Sequence, residues 1–287
     1  MTLPASFTVG HWTDPVALTG CTVILCDGAA TAGVHMGGGA PATIQTDIIG
    51  PGSATGILHA VLLTGGSAFG LAAYTGVMRF LEERGVGVAV RDWRVPHVAG
   101  AVIFDLMAGD GHVRPDANAG YAACVSATSE PAEGLVGAGT GGTVAKLNGG
   151  RAPGGLGIAS VRAGAATVTA VMVVNALGDV WDGERNAWIA RSAPGAVAPA
   201  PGNTTIGAVL TDAALGREAV RRVATTAHDG LARAIRPAHT DFDGDTIFSL
   251  AYGQKETNPV EVQIAAAEAV EMAIVRAVRL TGGTMKA

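Results

Sequence analysis

One low-complexity stretch, SAPGAVAPAPGN (Ser192–Asn203), divides the chain and limits what the rest can fold into. Such a Pro/Ala/Gly segment ordinarily links two domains. The piece after it, however, holds only two strand candidates and two helix candidates, which is thin for a separate enzyme domain. Residues 1–287 are therefore expected to form one domain, with both pieces sharing a core and the flexible segment ending at a processing site.

Strands and helices alternate on both sides of that stretch. TGCTVILCDG and TAGVHMGG read as two short strands around a turn near Asp27-Gly28, and GILHAVLLTGG as another strand. SAFGLAAYTGVMRFLEERG has helical spacing, with Leu71, Val77, Met78 and Leu81 on one face and Gly85 as a stop. HVAGAVIFDL and ATVTAVMVVNALGDV are buried-strand candidates. Beyond Asn203, TTIGAVLTD reads as a strand, and Asp212 as the N-cap of the amphipathic helix ALGREAVRRVATTAHDGLARAI. DTIFSLAYG is a strand, and Asn258-Pro259 opens the last helix, VEVQIAAAEAVEMAIVRAVRL.

Composition excludes several function classes. Hydrophobic residues make up 48% of the chain and charged ones 15%, enough for a sizeable core. The apolar runs are interrupted by Gly, Ser, Thr or Asn well short of the roughly 20 residues a membrane span needs. The N-terminus shows no basic region followed by an apolar one, so no secretory signal is expected. The odd count of three cysteines, Cys21, Cys26 and Cys124, fits reduced thiols in a cytoplasmic protein. Seven histidines form no HxH or HExxH pattern, so no metal is expected. A net charge of −5, spread along the chain, argues against nucleic acid or an anionic membrane as partner.

The chemistry turns on PGNTTIGAVLTDA (Pro201–Ala213). It is either a Pro-Gly-Asn turn feeding a strand, or a peptide bond made to break before Thr204. A threonine hydroxyl is a poor nucleophile until a base takes its proton. As the first residue of a chain, Thr204 would have its own α-amine beside Oγ, and that amine titrates near pH 8. Cutting Asn203–Thr204 would create it, through an N-to-O acyl shift by Thr204 Oγ itself. Gly202 and Asn203 both tolerate unusual backbone angles that would help strain the bond.

Lys146, in GAGTGGTVAKLNGG, is the only lysine before Lys255 in a chain that otherwise uses arginine. Its compact ammonium shifts pKa readily, which suits a place beside a nucleophile; a loop lysine with no task is the alternative. A phosphate-binding loop fails on the letters Thr140, Ala145 and Leu147. HTDFDGDT (His239–Thr246) fails as a calcium loop, because Thr246 and Tyr252 stand where Gly and an acid are required. Its carboxylates could steady a catalytic amine or simply cap a turn. In TGGSAFG, Phe69 breaks the serine-elbow pattern, so Ser67 is not supported as a nucleophile and the turn reads as packing. Asn175 closes the strand TAVMVVN, where it could donate to an oxyanion or end the strand.

Taken in order, GHWTDP, GGAP, LTGGSAFGL, VMRFLEERG, AVIFDL, GAGTGGTVAK, VVNALGDV, GNTTIGAVLTDA and HTDFDGDTIFSL resemble the L-aminopeptidase/D-esterase family. That family includes β-peptidyl aminopeptidases and nylon-oligomer 6-aminohexanoate hydrolases. The likeness runs from about Gly10 to Leu280. It implies an α+β fold, a four-layer αββα sandwich of the N-terminal-nucleophile-hydrolase type. It also implies self-cleavage into an α subunit, 1–203, and a β subunit, 204–287, usually assembled as a tetramer of αβ units. Carried over residue by residue, it puts the nucleophile at Thr204, the lysine at Lys146, the oxyanion asparagine at Asn175 and the two acids at Asp243 and Asp245. The implied substrate is a small peptide or amide, and no cofactor is required.

Three departures bear on this. Phe104 stands where some members have an oxyanion-holding tyrosine. Ile44-Gln45 replaces the Arg-Glu of many relatives, so Gln45 leaves recognition of a substrate amine open. Ala145 replaces the usual glycine before the lysine. Two rival readings follow. One is an acyltransferase of the ornithine acetyltransferase type, whose Ala-Thr-Met-type junction is absent here. The other is an uncut relative kept as a binding or structural protein.

Overall fold

The computed structural model describes residues 3–195 and 202–282. Residues 196–201 of the Pro/Ala/Gly-rich stretch lie outside it. A nine-stranded sheet frames the molecule. In chain order its strands are β1 Phe7–Asp14, β2 Thr19–Met36, β3 Thr43–Ile44, β4 Ile57–Thr64, β5 Val98–Val102, β6 Gly155–Ala163, β7 Ala166–Asn175, β8 Thr204–Ala213 and β9 Thr246–Lys255. They lie in the order β6-β7-β8-β9-β2-β4-β5-β3, with β1 paired to β2. Four α-helices flank them among the described residues: α1 Ala73–Glu82, α2 Ala117–Val125, α3 Arg217–Ala234 and α4 Pro259–Leu280.

β2 folds this sheet into two layers. Where the sequence suggested two strands around Asp27-Gly28, one strand of 18 residues runs through. Its register against β4 shifts between Leu25 and Ala30, so the strand bends at a bulge instead of reversing. Its first half pairs with β1, and its last residues, Thr31–Met36, pair with β9.

Strand alternation then sorts side chains into three apolar clusters. Val168, Ala170, Met172 and Val174 of β7 pack with α3 and α4. Val171 and Val173, between them, meet Ile206, Ala208 and Leu210 of β8 and Leu58, Val61 and Leu63 of β4 in the space between the layers. Ala60 and Leu62 of β4 turn the other way, onto Val77, Phe80 and Leu81 of α1 and Ala119 and Ala123 of α2. The stacking is thus helix, sheet, sheet, helix: an αββα sandwich. Small residues let the outer layers close up. At the α3–α4 crossing, a Cβ on Gly230 would lie 1.9 Å from the carbonyl oxygen of Ala267.

Two sequence expectations shift. The first turn of SAFGLAAYTG is a 3-10 turn, Ser67–Ala72, and α1 proper begins at Ala73. Asp212 does not cap α3, which starts after Gly216. It stays in β8, because its carboxylate takes the Thr167 N–H at 2.7 Å and the Lys255 ammonium at 2.7 Å. Asn258 does cap α4, accepting from the Val260 N–H at 3.0 Å with Pro259 in the first turn. Among the described residues no helix is long and apolar enough to cross a membrane.

Candidate active site

β7 and β8 run antiparallel, and their register pairs Asn175, the last residue of one, with Thr204, the first of the other. Both are buried, as are Asn203, Asp243 and Asp245. So many enclosed polar groups need partners, and their partners define the site.

The Thr204 hydroxyl reaches back to the carbonyl oxygen of Asn203. The same oxygen accepts the Gly244 N–H at 2.9 Å. Gly244 is held there because Asn203 and Asp243 form a parallel bridge. On the other side, Gly202 has φ 100°, and the Phe104 ring lies 2.5 Å from where a Cβ would stand. The bond between Asn203 and Thr204 is therefore pinned from both flanks.

Asn175 is saturated. Its Nδ2 donates to the carbonyl oxygens of Phe104 at 3.1 Å and Gly202 at 3.2 Å. Its Oδ1 accepts from the Thr143 N–H at 3.1 Å and from Lys146 Nζ at 3.0 Å. Lys146 Nζ also donates to the Asn175 carbonyl oxygen at 3.2 Å. Burial pulls the Lys146 ammonium down from its ordinary value to about 7, against the pull of Asp243 and helped by Arg151. Ala145 is buried with a left-handed φ of 58°. That backbone turn lets the Ala145 and Lys146 N–H groups donate to the carbonyl oxygens of Gly178 and Leu177 at 3.0 and 2.9 Å.

The two acids do different work. Asp243 Oδ2 accepts from the Thr240 N–H at 3.1 Å and hydroxyl at 2.5 Å, and its Oδ1 from the Leu177 N–H at 3.3 Å. Burial, and then Asp245 nearby, raise its pKa. Asp245 Oδ1 accepts the N–H of Thr205, next to Thr204, at 2.8 Å. Its Oδ2 takes the backbone N–H of His239 at 3.0 Å and meets His239 Nδ1 at 2.8 Å.

A pocket of about 180 Å3 opens beside the Asn203–Thr204 bond, lined by Phe104, Lys146, Arg151 and Asn203 among others. It shares Ala108, Gly141, Thr143 and Arg151 with a neighbouring cavity of about 440 Å3.

The structure thus brings together Thr204, Asn203, Lys146, Asn175, Asp243, Asp245 and Phe104. Gln45 is not among them. It is exposed at the head of the 3-10 turn Thr46–Ile49, with φ 56°. Sequence reasoning missed Gly244, whose contribution is a backbone N–H, and His239, which stood inside the singled-out HTDFDGDT segment. Ser67 starts a turn whose Gly66 N–H is held by the buried Asp105 carboxylate at 2.6 Å, in keeping with a packing role. Among the described residues no cluster of His, Cys, Asp or Glu is arranged to hold a metal ion.

Residues 5–286 match peptidase family S58. The chain belongs to that family. An uncharacterized aminopeptidase of Mycobacterium tuberculosis (strain H37Rv) is 43% identical over 300 residues, covering 94% of this chain and 86% of the relative. A 6-aminohexanoate-oligomer endohydrolase of Kocuria sp. is 32% identical over 258 residues, covering 81% and 69%. The structure of an L-aminopeptidase D-Ala-esterase/amidase from Ochrobactrum anthropi, a variant of the Ntn hydrolase fold, superposes with a TM-score of 0.74 at 20% identity, covering 98% and 88%. This S58 member is accordingly a hydrolase acting on peptide or amide bonds.

Proposed function

We propose that this S58 hydrolase processes itself before Thr204 and then uses Thr204 as its nucleophile on small peptides or amides. The observation that carries the reading is the Asn203 carbonyl. Its oxygen is met by the Thr204 hydroxyl and by the Gly244 N–H.

In the first step Thr204 Oγ adds to the Asn203 carbonyl carbon, and the Gly244 N–H holds the oxygen as it gains charge. The proton taken from the hydroxyl is handed to the nitrogen as the C–N bond breaks, leaving an Asn203 ester on Oγ and a free α-amine on Thr204. Water hydrolyses the ester and releases the Asn203 carboxylate. The uncut chain has no α-amine, so another group must accept the hydroxyl proton. With a pKa of about 7, Lys146 carries a lone pair near neutrality. As a neutral amine it has two N–H bonds, and both are used on Asn175.

In the mature form the Thr204 α-amine takes over as base. Departure of Gly202 frees one Asn175 Nδ2 hydrogen to donate to the substrate carbonyl. Asp245 keeps the first strand residues in register through the Thr205 N–H, and Asp243 ties the same loop to Leu177. The pocket lined by Phe104, Lys146 and Arg151 receives the acyl part of the substrate. Aminopeptidase and ω-amino-acid oligomer hydrolase activities are the substrate classes suggested by the named relatives. A homo-oligomer, as a tetramer of αβ units in the cytoplasm, completes the reading.

Intact mass spectrometry of the purified, denatured protein tests it. Two chains, the smaller beginning at Thr204, are expected, together with a single uncut chain for Thr204→Ala. A wild-type chain that stays whole after long incubation would overturn it.

A further inference from the structure

A chain of hydrogen bonds runs from the residue after the nucleophile to the backbone of β2. Thr205 N–H donates to Asp245 Oδ1 at 2.8 Å, and Asp245 Oδ2 meets His239 Nδ1 at 2.8 Å. His239 Nε2 lies 3.3 Å from His228 Nδ1, and His228 Nε2 lies 3.0 Å from the carbonyl oxygen of His35.

The far end fixes the protons. A carbonyl only accepts, so His228 Nε2 carries a hydrogen. His228 is buried in α3 among two other imidazoles, and burial, with His239 beside it, holds it neutral by pulling it down to about 4. Its Nδ1 is then bare and only accepts, so His239 Nε2 must carry a hydrogen as well. At the other edge of the ring, Asp245 already receives the N–H groups of Thr205 and of His239 itself. The oxygen that meets the ring, Oδ2, is the one that accepts the His239 N–H, so it faces His239 Nδ1 as an acceptor and that nitrogen carries a hydrogen too.

We propose that His239 is a standing imidazolium and a positioning residue. It locks Asp245, and through Asp245 the Thr205 N–H, so that Thr204 begins its strand in the reactive register. This rests on the reading of Thr204 as nucleophile. The backbone is bent to the same end: His239 has φ 58°, rare for a residue with a side chain, and this lets its N–H and its ring address one carboxylate oxygen.

The groups facing His239 are Asp245 and Asp243 from its own segment, His228 from α3 and His35 from β2. Burial is the largest single influence and would lower its pKa, but Asp245, Asp243 and the backbone of His228 together outweigh it and the net direction is upward. With a raised folded value, the clamp is complete below the ordinary imidazole range and is lost as pH climbs through the raised value. Deprotonation leaves either Nδ1 bare against a carboxylate or Nε2 bare against another bare nitrogen.

The experiment uses nitrogen-15 histidine labelling of the full-length Thr204→Ala chain, which keeps the Asn203–Thr204 bond whole. At about pH 8, where a free imidazole is neutral, both His239 ring nitrogens are expected to report as protonated. His239→Gln in the same background assigns the signals. A bare-nitrogen shift for His239 at that pH overturns the proposal. In the otherwise native chain, His239→Gln is expected to slow cutting and lower kcat by about 10²-fold, as for a small misplacement of reacting atoms. KM should stay near its original value, and the alkaline fall in the rate should disappear. Native rates with an unchanged pH profile would also overturn it. A wild-type chain that never cuts would sink the reading of Thr204 instead, and the nitrogen shifts would still decide the charge on His239.

Discussion

The Gly244 N–H donates to the carbonyl oxygen of Asn203 at 2.9 Å, from its place between the two acids Asp243 and Asp245. This is the donor that would meet an oxyanion in the uncut chain, since Asn175 Nδ2 is committed to Phe104 and Gly202. A Cβ at Gly244 would lie 2.7 Å from the Ala40 carbonyl oxygen and 2.9 Å from Thr204 Oγ. Gly244→Ala is therefore expected to slow cutting by about 10²-fold by displacing the hydroxyl or the donor. A mass-spectrometric time course reads the rate, and an unchanged rate would dismiss Gly244 from this role.

Gly202 makes a second, separate demand. Its φ of 100° is left-handed, and the Phe104 ring occupies the place of a Cβ. Gly202→Ala should destabilise the uncut chain by about 1–3 kcal/mol through backbone strain. Adding Phe104→Ala removes the clash and leaves the strain, so it should restore only part of the loss. Denaturant melts in a Thr204→Ala background measure both; full restoration by the second change would mean that the ring alone dictates this conformation.

Ala145 invites the reverse change. It is held at φ 58°, and a left-handed residue with a Cβ costs roughly 1 kcal/mol or more relative to glycine. Ala145→Gly should therefore gain about 0.5–1 kcal/mol, reduced by the extra freedom glycine brings to the unfolded chain. Urea midpoints would reveal a loss instead if the alanine methyl contributes packing that outweighs the strain.

Lys146 ties rate and stability to pH. Its folded pKa, about 7, lies below its ordinary value of 10.5, so between them the folded chain binds fewer protons than the unfolded one. Stability from this group therefore rises with pH across that window. Lys146→Met should abolish that rise, seen as the difference in urea midpoints between about pH 7 and pH 10. The rate of cutting should also climb through about pH 7 as the lone pair is freed, and the variant should lack this limb. A climb that persists in Lys146→Met would assign the base elsewhere.

Elements carried by local chemistry were readable before any coordinates. Asn258-Pro259 announces α4, and the Thr/Ile/Val pattern after Asn203 announces β8. Lys146 drew notice through its rarity alone. What escaped depends on partners far away in the chain. Asp212 looked like a cap because its strand partners, Thr167 and Lys255, lie 45 and 43 residues off along the sequence. The bend in β2 is set by unequal pairing with β4 and β9, which local residue types do not encode. Gly244 acts through an N–H that every non-proline residue has, and His239 takes its distant ring partner, His228, from α3. Gln45, singled out by comparison of motifs, is exposed at the head of the turn Thr46–Ile49.

β8 lies between β7 and β9, inside the sheet rather than along its rim. If the bond before Thr204 is cut, the new terminus is already woven in on both sides, and activation moves a covalent boundary while leaving the architecture in place. The cost appears only on unfolding. An uncut chain refolds as a single molecule, at a rate independent of its concentration. A cut one must find its other half by collision, so its recovery would depend on dilution. Processing would thus turn a self-contained folding problem into one of reassembly, and the sheet that makes the cut silent in the native state would make it hard to reverse outside it.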